Sequence, residues 1–229
     1  MRAVKFALAT VSLAAILLMG CQQLFTTSLA SALARPSLSI PTNLSTSQAS
    51  DLAAQAKDNQ DTKLATALLE SLNTEIGNTT DTATKADLEQ SAAEAAVVAS
   101  GAGSALLSAL SDFANGTNPD SSQISSIVSQ LQADSSADIA TGLSYLATLD
   151  PTKVDQSSVN ATDYVLAAAA LAASSPALGP GVDPTTLAPG DPYFSSSEYL
   201  AAQAIIANAK LLPGADTSAI DQLASFMNL

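Results

Sequence analysis

Histidine and tryptophan are absent from the 229-residue chain, and cysteine occurs once, at Cys21. Without histidine there is no imidazole base, no Ser-His-Asp triad and no histidine-ligated metal. A single cysteine rules out an intramolecular disulfide or a cysteine metal cluster. Aromatic residues make up 4% of the chain, which argues against a β-sandwich built on aromatic and β-branched side chains. Basic residues are also scarce, 8 against 21 acids. So acidic a surface repels nucleic acid and anionic headgroups, and its plainest use is solubility. No Asp-x-Asp-x-Asp-Gly run offers a calcium loop. Gly101-Ala102-Gly103 is too short, and follows no strand pattern, to cradle a nucleotide phosphate. No cofactor is expected.

What the chain does have is alanine and leucine, the material of closely packed helices. Residues 48–229 are expected to form one all-α domain of about eight helices in antiparallel hairpins. Leu64, Leu68, Leu72 and Ile76 recur every four residues behind an Asp61 or Thr62 cap, and so share one helix face. Ser47 or Ser50 is expected to cap a shorter helix ending near Asn59. An Ala-rich stretch starts at Asp81 or Thr82 and runs toward Phe113, with a break or kink at Gly101 or Gly103. Asn118-Pro119-Asp120 opens a helix whose Ile124, Ile127, Val128 and Leu131 give the clearest amphipathic pattern in the chain. Ile139 to Leu149 is stopped by Pro151. Asn160 or Thr162 caps the run Asp163 to Ala173. Helices over Ser197–Leu212 and Thr217–Met227 close the chain, split by Pro213-Gly214. Between Ser174 and Ser196 lie five prolines and three glycines, a density that permits only a loop. Tyr193 and Phe194 at its end are candidates either for a binding surface or for packing the loop onto the helices.

The N-terminus carries a different signature. Arg2 and Lys5 precede an uncharged apolar run, Phe6 to Met19, followed at once by Leu18-Met19-Gly20-Cys21. The run is too short to span a bilayer. It resembles the signal peptide and lipobox of bacterial lipoproteins. That resemblance implies cleavage before Cys21, a diacylglyceryl thioether on its sulfur and an exported, membrane-anchored product, since several acyl chains hold where one does not. Removing residues 1–20 would take Arg2 and Lys5 with it, leaving 6 basic residues against 21 acids and a formal charge of −15. Residues 21–47, rich in Ser and Thr, read as the lipidated N-terminus and a flexible tether. Gln22, where inner-membrane retention uses Asp, favours the outer membrane over the inner.

A second resemblance is carried by Leu146-Ala147-Thr148-Leu149-Asp150-Pro151, which is similar to the end of a tetratricopeptide-repeat second helix. Ala209 to Pro213 echoes it. That implies helical hairpins stacked as a short α-solenoid, a fold that binds a protein partner on its concave face. The expected role is thus a non-catalytic binding or scaffold module in the envelope, such as an accessory to a transporter or assembly complex. The rival is a glycan-cleaving enzyme working through carboxylates. Glu70-Ser71 matches the Glu-Ser dipeptide of lytic transglycosylases. Glu94, in the Ala-rich stretch, is the acid best placed for partial burial and a raised pKa, but solvation at the helix edge is the favoured expectation.

Overall fold

The computed structural model describes residues 40, 41, 43–106 and 120–229. The proposed export signal, Cys21, most of the expected tether and the continuation of the Ala-rich stretch to Phe113 lie outside them. Among the described residues there are eight α-helices described from end to end, a helical segment over 102–106, and no strand. The eight are α1 (Thr46–Asn59), α2 (Thr62–Asn78), α3 (Thr82–Ala99), α4 (Ser121–Ala133), α5 (Ala137–Thr148), α6 (Ala161–Ala173), α7 (Ser197–Leu211) and α8 (Thr217–Ala224). None is long and apolar enough to cross a membrane.

Polar side chains start most of these helices by accepting their orphan N–H groups. Asp61, Asp81, Asp120 and Asn160 cap α2, α3, α4 and α6. The first cap differs from expectation. Ser45, not Ser47 or Ser50, caps α1, because Gln48 sits three residues on and completes a reciprocal capping box. The folded body therefore begins earlier than residue 48. Leu44 is buried, and the Pro41 carbonyl accepts from Ser71 Oγ at 3.0 Å.

α3 ends at Ala99. Ser100 Oγ donates to the Val97 carbonyl and accepts the Ala102 N–H. Gly101 follows with φ +63°, a left-handed turn that suits glycine at a helix C-terminus. Residues 102–106 are again helical.

Two helices occupy the centre. From Ser91 to Val97 every residue of α3 is buried, as is Asp163 to Ala173 in α6. Neither has one apolar stripe because each is surrounded. α3 packs on α1, α2, α5 and α6, and α6 on α3, α4, α5, α7 and α8. Alanine at most of these positions lets neighbouring helices approach from every side. α2 and α3, joined by Thr79–Asp81, form the expected hairpin. α4 and α5 also follow each other across a short joint but make little mutual contact. The apolar stripe of α4 lies on α6, while α5 lies on α3.

The crossing of α5 over α3 depends on Gly142. A Cβ there would stand 2.7 Å from both Ala96 Cβ and Leu69 Cδ1, and 3.2 Å from the Ala92 carbonyl. Overpacking of this kind costs about 1–3 kcal/mol, while alanine returns up to about 1 kcal/mol of helix propensity. Gly142→Ala is therefore expected to lower stability by about 1–2 kcal/mol in urea denaturation. An unchanged midpoint would contradict the close approach.

Tyr164 on α6 is fully buried, and its hydroxyl finds no hydrogen-bond partner among the described residues. Burial pushes its pKa up to about 12. An unsatisfied buried donor costs about 1–3 kcal/mol, so Tyr164→Phe is expected to raise stability by about 1 kcal/mol. A loss on the same assay would mean the hydroxyl is bonded.

The loop expected over Ser174–Ser196 contains two 3-10 turns, Pro184–Thr186 and Pro192–Ser195. Each opens on an aspartate cap, Asp183 or Asp191. Gln132 of α4 holds the loop at one point: its Oε1 accepts the Gly181 N–H at 2.9 Å, and its Nε2 donates to the Leu178 and Gly179 carbonyls at 3.4 Å.

Candidate functional site

The last turn of α1 carries Lys57, one of five lysines in residues 40–229. Its ammonium donates to Asp163 Oδ2 at 2.7 Å and to the Ser158 carbonyl at 2.5 Å. Asp163 is held from behind. It sits in the first turn of α6, where the helix dipole favours a negative charge, and the same Oδ2 accepts the Asn160 N–H at 2.9 Å. Asn160 in return caps the N–H groups of Thr162 and Asp163. The strand of loop bearing Ser158 is fixed to α3 by Gln90, whose Oε1 accepts the Asp155 N–H and whose Nε2 donates to the Asp155 carbonyl.

Glu94 faces this pair from α3. Its side chain is 3% exposed, and its nearest cation is Lys57, with Nζ 4.0 Å from Oε1. That distance gives Coulombic attraction but no hydrogen bond. Among the described residues the Glu94 carboxylate accepts no hydrogen bond. Burial pushes its pKa from 4.5 up to about 7; Lys57 opposes the shift, and the negative charges of Asp163, Asp58 and Asp155 add to it. Loss of water outweighs one ammonium already committed elsewhere. Glu94 also lines two clefts. One, of about 360 Å³, is walled by Lys57, Asp163, Val97, Val98 and Leu166 among others. The other, of about 310 Å³, lies among polar residues of α1, α3 and the 153–158 segment.

Comparison with protein-family models, with curated proteins and with solved structures gives no match. The chain's own chemistry therefore carries the functional reading.

The structure brings together only part of what the sequence singled out. Glu94 is buried, where the sequence favours solvation at the helix edge; four other helices pack around α3 and close off that edge. Glu70 is exposed on α2, apart from the Lys57 cluster. Cys21 lies outside the described residues. Tyr193 is no surface residue: it is fully buried, and its hydroxyl donates to the Met227 carbonyl at 3.4 Å. Phe194, half-buried, and Tyr199 pack edge-on against it, with centroid separations of 4.9–5.3 Å. Tyr199 donates to the Asn228 carbonyl at 2.6 Å. This aromatic cluster thus fixes the C-terminal turn, because the hydroxyls reach backbone acceptors only when the rings point inward. No group of three potential ligands that could hold a metal occurs among the described residues.

Lys57 and Asp163 were not singled out by sequence reasoning as a pair. They stand 106 residues apart, and only the packing of α1 and α6 around α3 joins them. The detectable signals were the Asn160-x-x-Asp163 capping box and the scarcity of lysine.

Proposed function

We propose that this chain is a lipid-anchored protein of the bacterial envelope whose helical body binds a partner and is not catalytic. The observation that carries the second half is the clamping of Asp163 by Lys57. Most glycoside hydrolases cleave with two free carboxyls across the scissile bond. Asp163, the acid nearest the Lys57–Glu94 contact, is occupied by an ammonium and a backbone N–H and so is not available as the second acid. The first half rests on Leu18-Met19-Gly20-Cys21 behind a charged and then apolar leader, with lipid on Cys21 and outer-membrane sorting favoured by Gln22. A protein partner for the acidic helical body follows from the same reading.

Two experiments test it. Cells supplied with labelled palmitate should mark the wild type and not Cys21→Ala; label retained in the variant contradicts the anchor. A second reading, glycan cleavage with Glu94 as general acid, is favoured by one observation: a buried glutamate on a cleft, where desolvation raises the carboxyl's pKa. Release of reducing ends from purified cell-wall glycan, abolished by Glu94→Gln, would replace the non-catalytic reading. No release is the expected result.

A further inference from the structure

The cleft of about 310 Å³ reaches Glu94 without being lined by Lys57. Ser47 and Ser50 of α1, Ser91 and Asp87 of α3, and Lys153 and Asp155 of the following segment stand around it. Its volume is at the small end of ligand sites. The charged groups about Glu94 are Lys57 and Asp58 on α1, Asp87 on α3, Lys153 and Asp155 on the loop, and Asp163 on α6. Neither cation is free. Lys57 is taken by Asp163 and the Ser158 carbonyl. Lys153 pairs with Asp150 at 3.3 Å on the outside of the protein. What remains is Glu94, a residue 3% exposed that borders a hydroxyl-lined space; its carboxylate stands 4.0 Å from Lys57 Nζ and accepts no hydrogen bond among the described residues.

We propose that this cleft is a binding site for a small primary-ammonium compound, seated with its N–H donors on the Glu94 carboxylate and its body among the hydroxyls of Ser47, Ser50 and Ser91. The surplus of acids excludes an anion. A metal ion is disfavoured because no group of three Asp, Glu, Cys or His side chains converges among the described residues, whereas an ammonium needs one charged acceptor and a few neutral ones. The inference names a ligand class for the binding body and rests on that part of the reading, not on the anchor. Ligand binding and glycan release are read separately, so failure of one is distinguishable from failure of the other.

The test is calorimetric titration of the purified full-length protein with ethanolamine and with putrescine. Tetramethylammonium, ethylene glycol and magnesium chloride serve as controls at equal ionic strength. Saturable binding is expected for both amines and for none of the controls, because tetramethylammonium has charge without donors and the glycol has donors without charge. Affinity should rise from pH 6 to pH 8 as Glu94 ionises. Glu94→Gln should weaken binding about tenfold or more and flatten that rise. The wild-type pH profile and the tetramethylammonium comparison stand without the variant. No saturable binding of either amine at pH 8, equal binding of tetramethylammonium, magnesium binding in place of the amines, or an unchanged Glu94→Gln affinity would each overturn the proposal.

Discussion

Lys57→Met is expected to lower stability by about 3 kcal/mol at pH 8. Methionine keeps the length and the apolar stem of the side chain but removes the ammonium. Asp163 and Glu94 are then left facing each other without a counter-charge, and the Ser158 carbonyl loses its donor. Removing one partner of a buried ion pair typically costs about 3–5 kcal/mol because the other charge stays behind. Lys57 is 29% exposed on its side chain, which places the effect at the low end of that range. At pH 5 the loss should shrink, since Glu94 is then protonated and only Asp163 remains uncompensated. Chemical denaturation at the two pH values measures both effects. A loss of under about 1 kcal/mol at pH 8 would show that the ion pair holds nothing together.

Glu94 itself is expected to make the fold less stable as pH rises. Its folded pKa, about 7, lies above the ordinary 4.5. Between those values the folded chain holds a proton that the unfolded chain has released. The contribution is fully present below pH 4.5 and is lost as pH rises through 7. At about 1.4 kcal/mol per pKa unit it amounts to about 3 kcal/mol. Glu94→Gln, which imitates the protonated form, should match the wild type near pH 4, exceed it by about that amount at pH 8 and remove most of the slope. An equal slope in variant and wild type would assign the pH dependence to other carboxyls.

The helices were readable wherever one face carries the core. Leu64, Leu68, Leu72 and Ile76, and again Ile124, Ile127, Val128 and Leu131, announce α2 and α4, and their aspartate caps announce where they start. α3 and α6 were readable as helices but not as the central ones, because a helix surrounded on all sides shows no stripe. Gly142 gave no signal at all. Its role depends on Leu69 and Ala96, contributed by other helices. The misplaced residue, Tyr193, shows the limit of reading a Pro-rich segment as surface. The prolines do prevent regular structure, but Asp183, Asp191 and Gln132 fold the loop back and turn the ring inward. The alanine neighbours of Glu94 marked it as the acid nearest the core, but its near-complete burial was not legible, since the helices that cover it come from elsewhere in the chain. Its partners were not, since Lys57 and Asp163 reach it only through tertiary packing.

Carbon-13 NMR of the glutamate side-chain carboxyls across pH 3 to 9, with Glu94→Gln used to assign the resonance, tests the central feature most directly. A midpoint for Glu94 near 7 is the predicted result. A midpoint at the ordinary glutamate value of about 4.5 would contradict it, and neither the stability slope nor the rise of ammonium affinity between pH 6 and pH 8 would stand.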